Sequence, residues 1–187
     1  IAARKFAKEA GHDVDVKELE EAIELGVVKL AREIAAAGEN PQDVYKALVN
    51  LYSLQPRLGT RTSTSVREQA YSTPVPLAYL ASRLAGIRPD DRVFEPTAGN
   101  GALLMEVAPD NAVVNEINAI RRKNLETQGF KPSSKDASDK GLATGINNVF
   151  TGVDVVVANP PFGAVREGQE SKVFDLSDIQ PGYQTHE

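Results

Sequence analysis

The chain has 187 residues, 41% hydrophobic and 25% charged, with a formal net charge of −5, as expected for an ordinary globular protein with a core of its own. The absence of cysteine excludes a disulfide framework, a zinc–thiolate site and a thiol nucleophile, and the acidic balance argues against a chain that grips nucleic acid by charge alone. Because it has only two histidines, His12 and His186, and no apolar run of membrane-spanning length, we expect no metal centre, no membrane span and a cytoplasmic location.

The residues before position 58 have the periodicity of two amphipathic helices. Residues 16–37 predict a helix with one apolar and one charged side, and Gly38 predicts its end. The apolar side consists of Leu19, Ile23, Val27, Leu30 and Ile34, and the charged side of Glu18, Glu20, Glu21 and Arg32. Asn40 and Pro41 predict the N-cap and first residue of a second helix, which reaches Pro56. We interpret residues 1–58 as a helical N-terminal module with a packing role.

A polar stretch separates these helices from the rest of the chain. Residues 57–70 contain five Ser or Thr and three Arg, with hardly any apolar side chain. This composition is typical of a solvated loop, and we place a linker at residues 59–70. The other interpretation is a loop that contacts phosphate groups, because hydroxyl and guanidinium groups bind phosphate oxygens.

From Tyr71 onward the pattern alternates between helices and short strands. Pro76 is expected to open a helix that ends at Gly86 and buries Leu77, Leu80, Ala81 and Leu84. Strands are predicted over residues 92–95, 112–116 and 153–158, with a further one near 130–136, and helices over 102–107 and 118–128. The strand at 153–158 is almost wholly apolar, as expected for a central parallel strand covered on both faces. This order predicts an open α/β sheet.

The strongest local motif runs from Phe94 to Leu104 and reads FEPTAGNGALL. A strand ends in Glu95, a tight loop follows with Gly99 and Gly101, and a helix is expected to begin. The two glycines allow a positive φ and a close approach of a ligand, and the N-terminus of the helix would present free N–H groups to it. The third glycine of a dinucleotide-binding fingerprint is missing. An acid before the loop suits a ligand with an ammonium group better than a pyrophosphate.

Two further motifs follow later strands. Glu116 ends the next predicted strand, where in folds of this type an acid accepts hydrogen bonds from ribose hydroxyls. Asn159-Pro160-Pro161-Phe162 follows the apolar strand. The prolines lack N–H groups and favour extended backbone, so the loop presents two acceptors, the Asn159 side-chain oxygen and the Pro160 carbonyl, that suit a substrate amino group. Phe162 offers a flat face on which a base can stack.

Together these residues resemble the S-adenosylmethionine-dependent DNA methyltransferases that modify the N6 amino group of adenine. The segment 95–101 is similar to that family's first cofactor motif, Glu116 to its ribose-binding acid, and the segment 159–162 to its catalytic tetrapeptide. Residues 71–74 (YSTP) resemble the threonine–proline motif that lines the methionine end of the cofactor, and their position before the glycine loop matches the gamma order of motifs. Asp136 falls where the family has an acid near the adenine amino group of the cofactor. The block 69–86 also resembles the start of phage and plasmid proteins that join a methylase to a helicase.

The resemblance implies a fold, a cofactor and a set of site residues. The fold would be a Rossmann-like methyltransferase sheet over residues 71–187, cut off after its fourth strand, with residues 165–187 as an irregular tail. Since the chain begins with Ile1 and its only methionine is Met105, we expect a fragment or a processed product. The cofactor would be S-adenosylmethionine. The residues implied to bind it are Tyr71, Thr73, Pro74, Glu95, Pro96, Thr97, Ala98, Gly99, Gly101, Glu116, Ile117, Asp136 and Asn159, and those implied in catalysis are Asn159, Pro160, Pro161 and Phe162.

The implied reaction is methylation of an adenine that has been flipped out of double-stranded DNA. Asn159 and the Pro160 carbonyl would accept hydrogen bonds from the N6 amino group, no metal would be required, and other domains or subunits would supply target recognition. The alternatives are a methyltransferase that acts on RNA or on a glutamine side chain, since both kinds carry such tetrapeptides. A third is a non-catalytic module of a larger helicase or restriction assembly. The YSTP motif and Glu95-Pro96 favour DNA.

Overall fold

The computed structural model describes residue 5 and residues 8–11, 15–56, 58, 72–138 and 152–160, together with the backbone of short strands between 166 and 185. The chain divides into two units. The first unit comprises residues 1–60 and 72–159, and the second comprises residues 61–71 and 160–187. The predicted site residues that the structure describes belong to the first unit, with the exception of Pro160.

The first two helices form where the sequence predicts them, and the second ends two residues before the predicted Pro56. Helix α1 spans Val16–Ala37 and helix α2 spans Pro41–Leu54. The Asn40 side chain caps α2 by accepting a hydrogen bond from Gln42 N at 2.9 Å. Gly38 ends α1 with a φ of −90°, outside the left-handed region, and a side chain there would overlap Val44 Cγ2. Glycine is therefore needed at Gly38 because α2 passes close to the backbone.

The remaining helices and strands of the first unit are short. Helix α3 spans Val75–Leu84 and helix α4 spans Ala119–Glu126. The strands are β1 (Val93–Glu95), β2 (Ala112–Val114) and β3 (Val155–Val156). The helix expected over 102–107 is wrong, because only a 3₁₀ turn, Ala102–Leu104, forms there. Pro109 favours extended backbone at Ala108, whose ψ is 138°, so a helix cannot continue past this point.

The strands form one parallel sheet in the order β2-β1-β3. Val93 of β1 pairs with Ala112 on one side and with Val155 on the other. The prediction of a central, covered strand at 153–158 is wrong for the described part of the chain, where β1 is central and Val156 is 61% exposed. The strand expected near 130–136 is reduced to a single parallel bridge between Ser133 and Asn115, next to β2. The first unit is therefore a mixed α/β structure built on a small parallel sheet.

One hydrophobic core joins the N-terminal helices to the sheet. Its most deeply buried side chains come from α1, α2, α3, the strands and α4, and they include Ala31, Leu48, Ala78, Val93, Leu104 and Leu125. Helices α1 and α2 therefore pack as part of the α/β unit, and their described residues share its core.

Helix α3 buries the side opposite to the one predicted. Its buried residues are Val75, Pro76, Ala78, Tyr79 and Ser82, whereas Leu77, Leu80 and Leu84 are 55%, 39% and 87% exposed. The helix packs against α2 and against the 3₁₀ turn after the glycine loop. The small side chains of Ala78 and Ser82 allow the helix to approach these neighbours closely, which the larger leucines would not.

Helix α1 also differs from its predicted faces. Glu21, expected in solvent, is 2% exposed, and Leu30, expected in the core, is 48% exposed. Arg32, also placed on the charged side, donates to Leu104 O at 2.6 Å and to Val107 O at 2.9 Å. The reason is that α1 is in contact with α2, α3 and α4, so a single apolar stripe does not describe its environment.

The second unit contains two short antiparallel pairs. Arg166–Glu167 pairs with Glu170–Ser171, and Phe174–Asp175 pairs with Gln184–Thr185. The prediction of a wholly irregular tail is therefore wrong. In the described parts of the chain, no helix has both the length and the apolar character to cross a membrane.

Candidate functional site

Predicted site residues gather at one edge of the parallel sheet. Glu95 is the last residue of β1, and Glu116 and Asn159 follow β2 and β3 within three residues. Parallel strands have their carboxyl ends on the same edge, which is where open α/β sheets bind ligands. The backbone N–H of Asn115 donates to Glu95 O at 3.0 Å, so the ends of β1 and β2 are held side by side.

The loop after β1 is a tight turn that depends on glycine. Gly99 and Gly101 have φ angles of 56° and 85°, as the sequence predicts, and Gly101 N donates to Ala98 O at 2.8 Å. A Cβ atom on Gly101 would lie only 3.0 Å from Leu125 Cδ2. The helix N-terminus expected to face a ligand is not formed, since one 3₁₀ turn cannot supply the dipole of an α-helix.

A buried asparagine that sequence reasoning missed holds the start of this loop. Asn115 is 1% exposed, and its side-chain Nδ2 donates to Pro96 O and to Lys135 O, both at 2.9 Å. Its Oδ1 accepts from Ser133 Oγ at 2.7 Å and from Lys135 N at 2.8 Å, and its carbonyl accepts from Ala98 N at 3.0 Å. Asn115 thus ties the glycine loop to the segment that lies beside β2. It is an unremarkable polar residue in the sequence, and no pattern marks it.

Glu95 is a buried acid with unused hydrogen-bonding capacity. The side chain is 2% exposed, and its Oε2 has no hydrogen-bond partner in the part of the chain that the structure describes. Burial, and then the carboxylate of Glu116, raise the pKa of Glu95 well above its ordinary value of 4.5. The carboxyl group is therefore protonated well above pH 4.5, and a cation placed beside it would favour its ionised form.

Glu116 connects the second strand to the glycine loop. Its Oε2 accepts from Gly99 N at 2.7 Å, and its Oε1 accepts from Asn118 N at 2.7 Å. Asn118 in turn caps α4 through hydrogen bonds from the backbone N–H groups of Ile120 and Arg121. Each oxygen of a carboxylate has a second lone pair, so Glu116 can hold the loop and accept a hydrogen bond from a ligand at the same time.

Thr73 and Asn159 meet in the structure. The side-chain amide of Asn159 donates to Thr73 Oγ1 at 2.8 Å, and Thr97 Oγ1 lies 3.5 Å from Asn159 O. The threonine of the YSTP motif, the glycine loop and the asparagine of the tetrapeptide are thereby brought together. Pro74 supports this arrangement as the residue before α3, because its carbonyl accepts from Ala78 N at 2.9 Å.

The remaining predicted residues that the structure describes are Ile117, Asp136 and Pro160. Ile117 is 49% exposed. Asp136 is exposed and accepts hydrogen bonds from Ser138 N at 2.8 Å and Ser138 Oγ at 2.7 Å. Pro160 is exposed and belongs to the second unit. Tyr71, Pro161 and Phe162 lie outside the described residues.

A cluster of charged and amide side chains lies behind the glycine loop, and sequence reasoning missed it entirely. It consists of Lys17, Glu21 and Glu24 from α1, Ser72, Asn100 from the loop, and Arg121 and Asn124 from α4. Arg121 Nε donates to Glu21 Oε2 at 3.0 Å, and these two side chains are 4% and 2% exposed. Nothing in the pattern of a charged amphipathic helix distinguishes Glu21 from its solvated neighbours.

Electrostatics keep the Glu21–Arg121 pair ionised despite its burial. Burial acts to raise the pKa of Glu21, but the charge of Arg121 and hydrogen bonds from Arg121, Asn100 and Lys17 outweigh it, and the pKa is lowered below 4.5. Burial acts to lower the pKa of Arg121, but Glu21, Glu24 and Glu116 outweigh it, and the pKa is raised. The buried charges are therefore paired, as buried charges must be.

Comparisons with known proteins do not identify this arrangement, since no family model, no curated protein and no solved structure matches the chain. The functional conclusion therefore depends on the residues of the site and their geometry.

Proposed function

We propose that the chain is an S-adenosylmethionine-dependent methyltransferase domain that acts on the N6 amino group of adenine in DNA. The observation that carries the proposal is the meeting of Thr73, the glycine loop and Asn159 at the carboxyl edge of the sheet. These segments are far apart in the sequence, and each has the residue types of one motif of that family. A chance resemblance of separate motifs would not require them to come together in space.

The topology supports the same proposal. The Ser133 segment, β2, β1 and β3 lie in the spatial order third, second, first, fourth along the chain. This matches the first four positions of the six-strand order 3-2-1-4-5-6 of nucleotide-binding α/β sheets, in which the ligand binds where the order reverses, beside the first strand. Glu95 and the glycine loop follow β1, so they lie at this point.

The residues fit the chemical groups of S-adenosylmethionine. Glu95 has a buried carboxyl oxygen that no described residue contacts by a hydrogen bond, which suits the ammonium group of the ligand. Glu116 retains lone pairs for the two ribose hydroxyls while it holds Gly99. The left-handed glycines at 99 and 101 leave no side chain between the loop backbone and a ligand.

The chain would contribute to the reaction mainly by positioning the two reactants. S-adenosylmethionine would supply an electrophilic methyl group on a positive sulfonium. Asn159 uses its Nδ2 to bond Thr73, and this orients the amide so that Oδ1 is the atom that would accept from the adenine amino group. That hydrogen bond would draw the nitrogen lone pair out of conjugation with the ring and toward the methyl group. Alignment of the two reactants then accounts for most of the protein's contribution.

A first experiment tests whether the chain binds S-adenosylmethionine, and a second tests which substrate it methylates. Calorimetric titration with S-adenosylmethionine should give saturable binding, weakened in Glu116→Ala. Incubation with the cofactor and duplex DNA should then yield N6-methyladenine, detected by mass spectrometry after digestion. The same reaction with structured RNA and with a glutamine peptide provides the comparison.

The outcomes separate the alternatives. Methylation of RNA or of the peptide, with none of DNA, would overturn the substrate while retaining the cofactor. Absence of S-adenosylmethionine binding would overturn the proposed function itself and would favour a non-catalytic module.

A further inference from the structure

The N-terminal helix α1 is fastened to the glycine loop through one residue, Asn100. Asn100 lies between the two left-handed glycines and is 4% exposed. Its side-chain Nδ2 donates to Glu21 Oε2 at 2.9 Å and to Glu24 Oε2 at 3.0 Å. Both amide hydrogens of the loop residue are therefore used by carboxylates of α1.

Helix α4 and the turn after it also hold Asn100. Asn124 Nδ2 of α4 donates to Asn100 Oδ1 at 2.9 Å, and Gln128 Nε2, two residues beyond the end of the helix, donates to Asn100 O at 2.9 Å. The Glu21–Arg121 ion pair joins the two helices through Glu21 Oε2, the same oxygen that accepts from Asn100. The loop backbone is thus fixed between α1 and α4, and its position depends on how these helices are placed.

One of these acids, Glu24, also contacts the YSTP motif. Ser72 Oγ donates to Glu24 Oε2 and accepts from Arg121 Nη2, the latter at 3.1 Å. Ser72 directly precedes Thr73, whose hydroxyl accepts from Asn159. One cluster on α1 therefore contacts both segments that face the candidate site, although α1 itself contributes no residue to the resemblance with methyltransferases.

We infer that Glu21 and Glu24 are positioning residues, and that α1 sets the geometry of the ligand site by holding Asn100 and Ser72 in place. The identity of the ligand in this inference rests on the proposed function, but the effect on the loop does not. A network of paired charges and amides favours one arrangement of the groups that it holds, and its loss leaves the loop with several. The N-terminal helix α1 thus positions the ligand site in addition to packing against the rest of the unit.

The test compares two substitutions in α1 with a control in the same helix. Glu24→Gln removes a charge at the partly buried end of the cluster, and Glu21→Gln removes it at the buried end. Arg32→Met is the control, because Arg32 also ties α1 to the α/β part, but through the Leu104 and Val107 carbonyls beyond the loop. Its loss should lower stability without acting on Asn100.

Two readouts are measured on each folded protein. Calorimetry with S-adenosylmethionine should give a Kd roughly 3- to 30-fold weaker in the two glutamate variants, and unchanged in Arg32→Met. Hydrogen exchange at the Gly99 and Gly101 amides, measured without ligand, should be faster in the glutamate variants only. These amides donate to Glu116 and Ala98 and so report directly on the loop.

A multiple variant tests whether the effect passes through Asn100 and Ser72. If it does, Glu24→Gln should add little to the loss of affinity already caused by Asn100→Ala combined with Ser72→Ala, since substitutions that act through the same contacts are not additive. Full additivity would overturn the inference, as would wild-type loop exchange in Glu24→Gln. If Glu21→Gln does not fold, the Glu24 and Asn100 variants still test whether α1 positions the glycine loop. Should wild-type protein fail to bind the cofactor, the proposed function falls, while the exchange data still decide the role of α1.

Discussion

The side chains of Asn159 and Thr73, 86 positions apart in the sequence, are joined by a hydrogen bond of 2.8 Å. The bond uses the donor end of the asparagine amide and thereby fixes the direction of its acceptor oxygen. Two short motifs that the sequence presents as independent are, in the structure, parts of one arrangement.

Substitution of Asn159 by alanine should abolish methyl transfer while leaving cofactor affinity nearly intact. The amide is the group proposed to activate the substrate nitrogen, and loss of one such hydrogen bond at a reacting centre lowers kcat by about 100-fold or more. Single-turnover transfer of a radiolabelled methyl group to duplex DNA measures the first effect, and calorimetry the second. Methylation by Asn159→Ala at the wild-type rate would falsify the catalytic assignment.

Replacement of Thr73 by valine should slow the same reaction less severely. Valine keeps the shape of threonine but removes the acceptor that orients Asn159, and the net value of such a bond corresponds to a loss of roughly threefold to tenfold in kcat. The rate should fall without a change in the unfolding midpoint comparable to that of a core substitution. An unchanged kcat would mean that the orientation of the amide does not depend on this bond.

Glu116→Ala should weaken S-adenosylmethionine binding by roughly 10- to 100-fold, the value of losing charge-assisted hydrogen bonds to the ribose. The substitution also leaves the Gly99 amide without its acceptor. Glu116→Gln provides the matched control, because its amide oxygen can still accept from Gly99 while the charge is gone. If Glu116→Gln binds as tightly as wild type, the charge is not what the ligand recognises.

The stability of the protein should fall as pH rises, and Glu95 should be the cause. Its pKa is raised in the folded state, so the stability it contributes is complete below the unfolded value near 4.5 and is lost as pH rises through the folded pKa. Urea unfolding at pH 5 and pH 8 should show a smaller loss for Glu95→Gln than for wild type.

Glu21 is the other buried glutamate to be considered in this experiment, and its pKa is lowered whereas that of Glu95 is raised. The contribution of Glu21 is present above 4.5 and is lost only as pH falls through its lowered folded pKa. It therefore does not affect the comparison between pH 5 and pH 8. Equal losses in wild type and Glu95→Gln would show that Glu95 is not protonated in the native state.

Alanine at Gly101 should destabilise the protein by about 1–2 kcal/mol or more. The residue has a φ of 85°, which costs an L-residue about that amount, and the new Cβ would press on Leu125. Gly26→Ala is the control within α1, where no atom lies within 4 Å of an added Cβ and alanine should stabilise the helix by about 1 kcal/mol. Thermal unfolding should move in opposite directions for the two variants.

The sequence by itself determined the features that depend on neighbouring residues. The bounds of α1 follow from the spacing of its apolar residues, the cap of α2 follows from Asn40-Pro41, and the left-handed backbone at Gly99 and Gly101 follows from the residues themselves. These are local preferences of the backbone and of side-chain periodicity. They act over a few residues, so a reader of the sequence can find them.

Only the tertiary structure decided which side of each helix is buried and which polar groups are paired. Leucines at 77, 80 and 84 predict the buried side of α3, yet the helix turns Ala78 and Ser82 inward because close packing against its neighbours stabilises it more than burial of larger side chains at a distance. Glu21 and Arg121 are 100 positions apart. Each is an ordinary surface charge in the sequence, and only the packing of α1 against α4 brings them together, because a buried charge is stable solely where a partner is present.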